Sequence, residues 1–316
     1  MAKKQFSILG LGTFVILTIG SLAQLLVMVA ADLLWPQWMD HPWGVWIVSF
    51  VPLYLIAVPI GILILRKVPA KPLEQRSMKV KTYLIYMVIS VFMMYAGNLV
   101  GNMVTVLLQL IPGIAAENPI LPLATDTAVV PKALVMVILA PIIEEYIFRR
   151  MLIDRMRIYG EKLAVITSAL MFGLFHGNLS QFFYAFALGA VFGYIYLKTG
   201  KLRYSIGLHM FINFLGGVIG PFFLEKIGMI YTVETMDLAT LMPVLPWLAA
   251  FGLYTCALMG TAIVGLVLLC IHGKRVTFEP AELEIPKELR FRTVYLNIGM
   301  ILLVLACLAL TVLNTL

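Results

Sequence analysis

Two adjacent glutamates at the end of an apolar stretch are the first residues of this sequence that could do chemistry. Glu144 and Glu145 follow residues 133–143, none of which is charged. An ionisable side chain at membrane depth is costly and usually faces a partner or a water-filled cavity, so it indicates a functional site. A simpler interpretation is that the pair marks the point where a helix leaves the bilayer. The histidines decide between the two.

Two of the four histidines, His176 and His209, lie within apolar segments. Gly160 is the natural turn between the segments of Glu144 and His176, and each of these two residues lies 16 positions from it. Since each residue adds about 1.5 Å to a helix, equal separations from the turn of an antiparallel pair predict equal depth. Asn213 follows His209 by four residues and therefore shares its helix face.

These residue types suit hydrolysis of an amide bond without a covalent nucleophile. A carboxylate such as Glu144 and an imidazole such as His176 can activate a water molecule as a general base. A second imidazole, His209, and the carboxamide of Asn213 can donate hydrogen bonds to a developing oxyanion. This spacing therefore predicts a hydrolytic site inside a helical bundle.

Glu145 and Arg149 have a different predicted role. They are four residues apart with the acid first, which is the favourable order for an ion pair on one helix. We expect this pair to be structural, holding the helix end and orienting Glu144.

The composition is that of a polytopic, all-α membrane protein. Hydrophobic residues make up 62% of the 316 residues and charged residues only 12%, whereas soluble domains carry about 25% charged residues. The chain is long enough for eight or nine transmembrane helices. Nothing indicates a separate soluble domain or a nucleic-acid partner. The three cysteines lie in apolar runs, so neither a disulfide framework nor a cysteine-rich metal site is expected.

Nine apolar runs are long enough to be candidate spans. They cover residues 7–31, 44–65, 83–111, 130–150, 161–177, 180–198, 203–224, 244–272 and 293–315. With the N-terminus in the cytoplasm, every Lys and Arg except Lys132 and Lys226 falls in a cytoplasmic segment. Because cytoplasmic loops are enriched in these residues, the charge pattern supports nine helices and this orientation. The Met1 end is predicted to be a retained first span rather than a cleaved signal peptide.

The predicted organisation has three parts. Residues 1–82 hold two helices and a basic cytoplasmic linker, residues 83–224 form the core, and residues 225–316 hold two helices with a cytoplasmic connector. That connector, residues 273–292, is interpreted either as an amphipathic element on the inner leaflet or as a solvated link.

Three short motifs resemble those of the CPBP family of intramembrane proteases, which contains the CAAX proteases and bacteriocin-processing enzymes. Residues 144–149 resemble its EExxxR motif, residues 172–176 its FxxxH motif, and residues 209–213 its HxxxN motif. Each motif alone is weak, but all three occur in the family's order on successive apolar segments. The resemblance covers roughly residues 83–224. An eight-helix core is typical of the prenyl-protein endopeptidases of this family, so a ninth helix is a departure.

The resemblance implies a glutamate protease that needs no metal, with its site in a conical cavity open to the cytoplasm. Glu144 would be the general base, with His176 helping to activate the water, and His209 and Asn213 would form the oxyanion hole. The partners would be membrane lipid and a peptide or lipidated protein substrate. The location would be a prokaryotic plasma membrane.

Two other functions remain open. A zinc endopeptidase could use Glu144, His176 and His209 as ligands, because three protein ligands plus water suit catalytic zinc, although the chain contains no HExxH motif. A non-catalytic scaffold or immunity protein could use the same polar residues as a buried network. Against the scaffold, all four catalytic positions hold residue types that are competent for catalysis.

Overall fold

The computed structural model describes residues 1–111, 128–228 and 241–314, and in these ranges all regular structure is helical, as predicted. A four-residue helix, Pro36–Met39, lies between the first two long ones. In chain order the other helices are α1 (Ala2–Leu34), α2 (Gly44–Leu65), α3 (Val80–Gln109), α4 (129–156), α5 (Glu161–Phe175), α6 (Leu179–Thr199), α7 (Leu202–Gly228), α8 (Leu245–Gly273), α9 (Lys287–Val294) and α10 (Ile298–Leu313).

The described helices confirm a helical membrane protein but not the count of nine spans. Six of them, α1, α2, α3, α6, α7 and α8, are long and apolar enough to cross a membrane. The α9–α10 pair, bent by 59°, counts as a seventh if it forms one span. The two remaining long helices are α4, which carries many charged side chains, and α5, which has only 15 residues. The count of nine and the division at residues 82 and 224 stay predictions.

The five basic segments meet at one end of the bundle, which we call the basic end. They are the N-terminus, the linker after α2, the α4–α5 turn, the α6–α7 turn and the connector after α8. Hydrogen bonds join them at Tyr159–Gln5, Lys71–Asp154, Arg76–Thr199 and Glu282–Ile158. At the other end, Asn314 donates to the carbonyl of Gly177 over 2.9 Å. The helices therefore run in the alternating directions that the charge pattern requires.

The core helices pack around α3, which lies between α6 and α8, while α5 and α6 form an antiparallel hairpin. The α3–α6 contact is close because Gly97 faces the backbone of Tyr184. A Cβ atom on Gly97 would lie only 2.3 Å from the Cα of Tyr184. Small residues allow helix backbones to approach in this way. This contact fixes the position of Tyr184 relative to α3.

The connector between α8 and α9 packs onto the basic end. The Phe278 ring contacts that of Tyr194 at a centroid distance of 5.6 Å, and Ile285 is buried. Lys71 forms an ion pair with Glu282, which holds the pKa of that carboxyl below its usual value. The solvated-link interpretation of this segment is therefore wrong for Phe278 and Ile285, because both apolar side chains pack against the protein.

Gly299 should be intolerant of a larger side chain, because α10 crosses α1 there. A Cβ atom on Gly299 would lie 1.8 Å from the backbone oxygen of Ser7. We expect Gly299→Ala to force the helices apart and to lower stability by about 1–3 kcal/mol, the usual cost of overpacking. Thermal unfolding in detergent measures this. The matched control is Gly260→Ala in α8, where a Cβ atom meets nothing within 4 Å. Equal melting temperatures for the two variants would contradict the close crossing.

Candidate active site

The two glutamates lie in an α-helical stretch of α4 between two π-helical ones. The π-helical stretches are Ala133–Leu139 and Tyr146–Ile153, and Ala140–Glu145 lies between them. Such widened turns often occur at functional sites. Successive residues of an α-helix point about 100° apart. The adjacent carboxylates of Glu144 and Glu145 therefore face different neighbours.

Glu145 is neutralised by a buried bidentate ion pair with Arg149, as its spacing predicts. Nε of Arg149 lies 2.9 Å from Oε2 of Glu145, and Nη2 lies 3.1 Å from Oε1. Both side chains are fully buried. The third guanidinium nitrogen donates to Ser168 over 3.2 Å, and the guanidinium carbon lies 4.9 Å from the centre of the Phe172 ring. Charge-assisted bidentate pairs of this kind hold both partners in one geometry.

His209 bridges the two glutamates. Its Nδ1 lies 3.2 Å from Oε1 of Glu145, and its Nε2 lies 3.7 Å from Oε2 of Glu144. Because an ionised carboxylate only accepts hydrogen bonds, Nδ1 carries the hydrogen. Nε2 can then donate to Glu144 or to an oxyanion only in the imidazolium form. Glu145 thus sets which nitrogen of His209 faces the candidate site.

Glu144 keeps its carboxylate available. Its side chain is 23% exposed, and its contact with His209 at 3.7 Å is too long for a hydrogen bond. In the described ranges no hydrogen bond to Glu144 is formed. Of the two adjacent carboxylates, Glu144 is the one that could accept a proton from water.

His176 lies beside the same group of side chains. Its Nδ1 is 2.8 Å from the carbonyl oxygen of Phe172, so Nδ1 donates and the other nitrogen is free to accept in the neutral ring. The Phe172 ring meets His176 edge-on at 4.9 Å and His209 edge-on at 5.7 Å between centroids. Glu144 and His176, which are each 16 residues from Gly160 in the sequence, thus lie in the same region of the bundle.

Asn213 lies on α7 one turn from His209, but its amide forms a hydrogen bond with the backbone of α4. Its Nδ2 donates to the carbonyl oxygen of Met136 over 2.8 Å. In the π-helical stretch the N–H of Ala140 pairs with Val135. The same pattern would pair Met136 with Pro141, which has no N–H. Asn213 supplies the missing donor, and within the described ranges it makes no hydrogen bond to the glutamates or histidines of the site.

Sequence reasoning missed the polar residues Ser168, Asn178, Gln181 and Tyr184. Ser168 contacts Arg149 from another helix, and its separation of 19 residues carries no signal. The pair Asn178 and Gln181 does carry one, because a polar cap followed three residues later by Gln before an apolar run is typical of a helix start. Asn178 indeed caps α6 by accepting from the N–H of Gln181.

The candidate zinc ligands do not converge. No three His, Cys, Asp or Glu side chains among the residues described are arranged to hold a metal ion. A separate cavity of about 380 Å³, lined by Trp35, Gln37, Trp38 and His41, contains none of the predicted site residues.

These features define a class: polytopic helical membrane proteins with one free and one neutralised glutamate beside two histidines. Residues 126–215, which include all three motifs, match the family model described as "Type II CAAX prenyl endopeptidase Rce1-like". The chain is also 25% identical over 181 residues to a protein of Bacillus subtilis (strain 168) named "Putative membrane peptidase YdiL". That alignment covers 55% of this chain and 71% of the relative. No solved structure matches the chain.

These matches support the resemblance to the CPBP family, and residues 126–215 are similar to the type II CAAX prenyl endopeptidases. All six residues predicted from the motifs lie inside the matched range. The protein is therefore a multi-pass membrane protein, and its matched part is similar to membrane proteases.

Proposed function

We propose that the protein is an intramembrane endopeptidase in which Glu144 activates the water that hydrolyses a peptide bond. The proposal rests on the different surroundings of the two adjacent carboxylates. Glu145 is held on both oxygens by Arg149, while Glu144 is partly exposed and forms no hydrogen bond within the described residues. A general base needs an ionised carboxylate that water can reach.

The proposed reaction proceeds by direct attack of water. Glu144 takes a proton from water as the oxygen attacks the scissile carbonyl carbon, and the accepting nitrogen of His176 orients the same water. The negative charge that forms on the carbonyl oxygen is stabilised by Nε2–H of His209 in its imidazolium form and by the second amide hydrogen of Asn213. Glu144 then returns the proton to the amide nitrogen as the C–N bond breaks.

The proposed substrate is a membrane-associated or lipidated peptide or protein. The site lies among helices that are apolar enough to span a bilayer, so a substrate must enter an apolar environment. We assign the basic end to the cytoplasm of a prokaryotic plasma membrane, because cytoplasmic segments are rich in Lys and Arg. This puts the N-terminus and the α4–α5 turn on the cytoplasmic side.

Cleavage of a library of plain and prenylated peptides by the detergent-purified protein tests the proposal. The wild-type protein should cleave members of the library equally well with and without a strong chelator. The control is Glu144→Gln prepared in parallel, which identifies cleavage by a contaminating protease. The products report the cleavage rule.

Three outcomes would contradict the proposal. Cleavage that is lost on chelation and restored by zinc would show that the metal alternative is right. Equal cleavage by wild type and Glu144→Gln would show that Glu144 is not the base. Absence of cleavage of both plain and prenylated peptides would favour the scaffold.

A further inference from the structure

The turn between α5 and α6 leaves the backbone carbonyl of His176 beyond the last turn of α5. Helices end with carbonyl groups that no N–H of the same helix can satisfy. Gly177, the next residue, has a φ of 61°, a left-handed conformation that turns the chain out of the helix. Gly177 and Asn178 are both buried, so the carbonyls of this turn need partners within the protein. Side chains therefore have to close the turn.

The side-chain amide of Asn178 closes it with both of its ends. The oxygen accepts from the backbone N–H of Gln181 over 2.9 Å and from the Ser180 hydroxyl over 2.8 Å, which caps α6. A backbone N–H only donates, so the opposite atom of the amide is the nitrogen. That nitrogen donates to the carbonyl of His176 over 2.8 Å and to the Gln181 side chain over 2.7 Å. One side chain thus joins the start of α6 to His176.

The neighbouring carbonyl is held from a different part of the chain. Nδ2 of Asn314, which follows the last residue of α10, donates to the carbonyl oxygen of Gly177 over 2.9 Å. A Cβ atom on Gly177 would lie 3.1 Å from the Cβ of Leu310, one turn earlier on α10. The end of α10 therefore packs directly against the turn. Two successive peptide groups, those after His176 and Gly177, are each held by an amide.

The ring of His176 depends on the backbone of this turn for its position. Its Nδ1 lies 2.8 Å from the carbonyl oxygen of Phe172, and the Phe172 ring meets it edge-on at 4.9 Å between centroids. The Cα atom of His176 carries both the ring and the carbonyl that Asn178 holds, so a shift of that carbonyl also moves the ring. Catalytic groups have to be held to about 0.5 Å by such supporting hydrogen bonds.

We propose that Asn178 is a positioning residue for His176. Through the carbonyl of His176, its amide nitrogen holds the ring where the accepting ring nitrogen orients the attacking water. The inference rests on the proposed function, because His176 meets the water only in that reaction. The cap of α6 requires only the oxygen of Asn178, so the positioning role belongs to the nitrogen. A substitution can therefore separate the two roles.

Asn178→Ser makes this separation, because serine is also a favoured N-cap residue but has no amide nitrogen. We expect kcat to fall about 2- to 12-fold, the rate equivalent of one neutral hydrogen bond, with KM little changed. Steady-state cleavage of a peptide that the wild-type protein cleaves measures both constants.

The matched control is Asn297→Ser at the start of α10. Asn297 is buried like Asn178, its oxygen accepts from the N–H of Met300, and its nitrogen donates to the carbonyl of Val294 over 2.9 Å. It therefore makes the same two kinds of bond, but at the opposite end of α10 from Asn314. Asn297→Ser should lose about as much stability as Asn178→Ser and keep the wild-type kcat.

Nitrogen-15 NMR of protein labelled at histidine gives a second test that needs no activity. The chain has four histidines, and His176→Gln identifies the signals of His176. Asn178→Ser should shift these signals, whereas Asn297→Ser should leave them in place. Unshifted signals or a wild-type kcat in Asn178→Ser would overturn the proposal, as would an equal fall of kcat in Asn297→Ser. Shifted signals in a protein that cleaves nothing would retain the positioning and reject the protease function, so the two failures are distinguishable.

Discussion

Replacement of Glu144 by Gln is expected to lower kcat/KM about 100- to 10,000-fold, the usual contribution of a general base. The amide keeps the size and shape of the carboxylate but cannot take a proton from water. Its carboxylate is 23% exposed, and its one close contact, with Nε2 of His209 at 3.7 Å, is too long for a hydrogen bond. The melting temperature should therefore stay at the wild-type value. Steady-state cleavage and thermal unfolding on one preparation measure both quantities.

The adjacent residue provides the matched control. Glu145→Gln makes the same chemical change one position along the chain, where the carboxylate is fully buried against Arg149. This variant should lose stability, because the guanidinium is left without its full charge partner. Retention of full activity by Glu144→Gln would remove the assignment of the base. Loss of stability in both variants would mean that the two glutamates share a structural role.

Replacement of Arg149 by Ala is expected to lower the free energy of unfolding by about 3–5 kcal/mol, because it leaves the buried charge of Glu145 without its main partner. The change also removes a hydrogen bond to Ser168 and the contact with the Phe172 ring. Arg149→Lys should recover only part of the loss, since an ammonium group cannot form the bidentate pair. Thermal or denaturant unfolding in detergent measures the effect.

An exposed arginine serves as the control for the contribution of burial to the stability of the Glu145–Arg149 pair. Arg76 pairs with Glu74 at 2.8 Å, but both side chains are mostly exposed. Exposed pairs are screened by water, so Arg76→Ala should leave the melting temperature unchanged. An Arg149→Ala protein as stable as Arg76→Ala would refute the structural role of the buried pair.

Features that depend only on residue spacing along a helix and on the position of one turn were predictable. The Glu145–Arg149 pair follows from a separation of four residues with the acid first. The shared depth of Glu144 and His176 follows from equal rise on both sides of Gly160. Both inferences need only helix geometry and the position of one turn.

Contacts between helices were not predictable in the same way. His209 and Glu145 are 64 residues apart, and the rotation of α7 about its axis decides which nitrogen meets which carboxylate. The hydrogen bond from Asn213 to the carbonyl of Met136 depends on a π-helical stretch before Pro141. The hydrophobic periodicity of the sequence does not indicate this stretch. Tyr184 belongs to no motif and gains its partners from the path of the α5–α6 turn.

The span count shows the same limit. The apolar runs at residues 130–150 and 161–177 predict two spans, yet α4 carries several charges and α5 has only 15 residues. These are the helices that hold Glu144 and His176. High hydropathy is typical of helices that face lipid, whereas these two helices pack largely against protein. Composition therefore identifies them less well than it identifies the neighbouring helices.

If Glu144 is the base, as proposed, its depth sets a minimum length for a substrate segment that reaches it from the basic end. Glu144 lies about twelve residues before the end of α4 at the basic end, which corresponds to ~18 Å of helix. An extended peptide needs roughly five or six residues to cover that distance. A substrate that comes from this end must therefore offer an unfolded tail of at least that length between its folded part and the bond to be cut. Proteins with shorter tails would escape cleavage whatever their sequence.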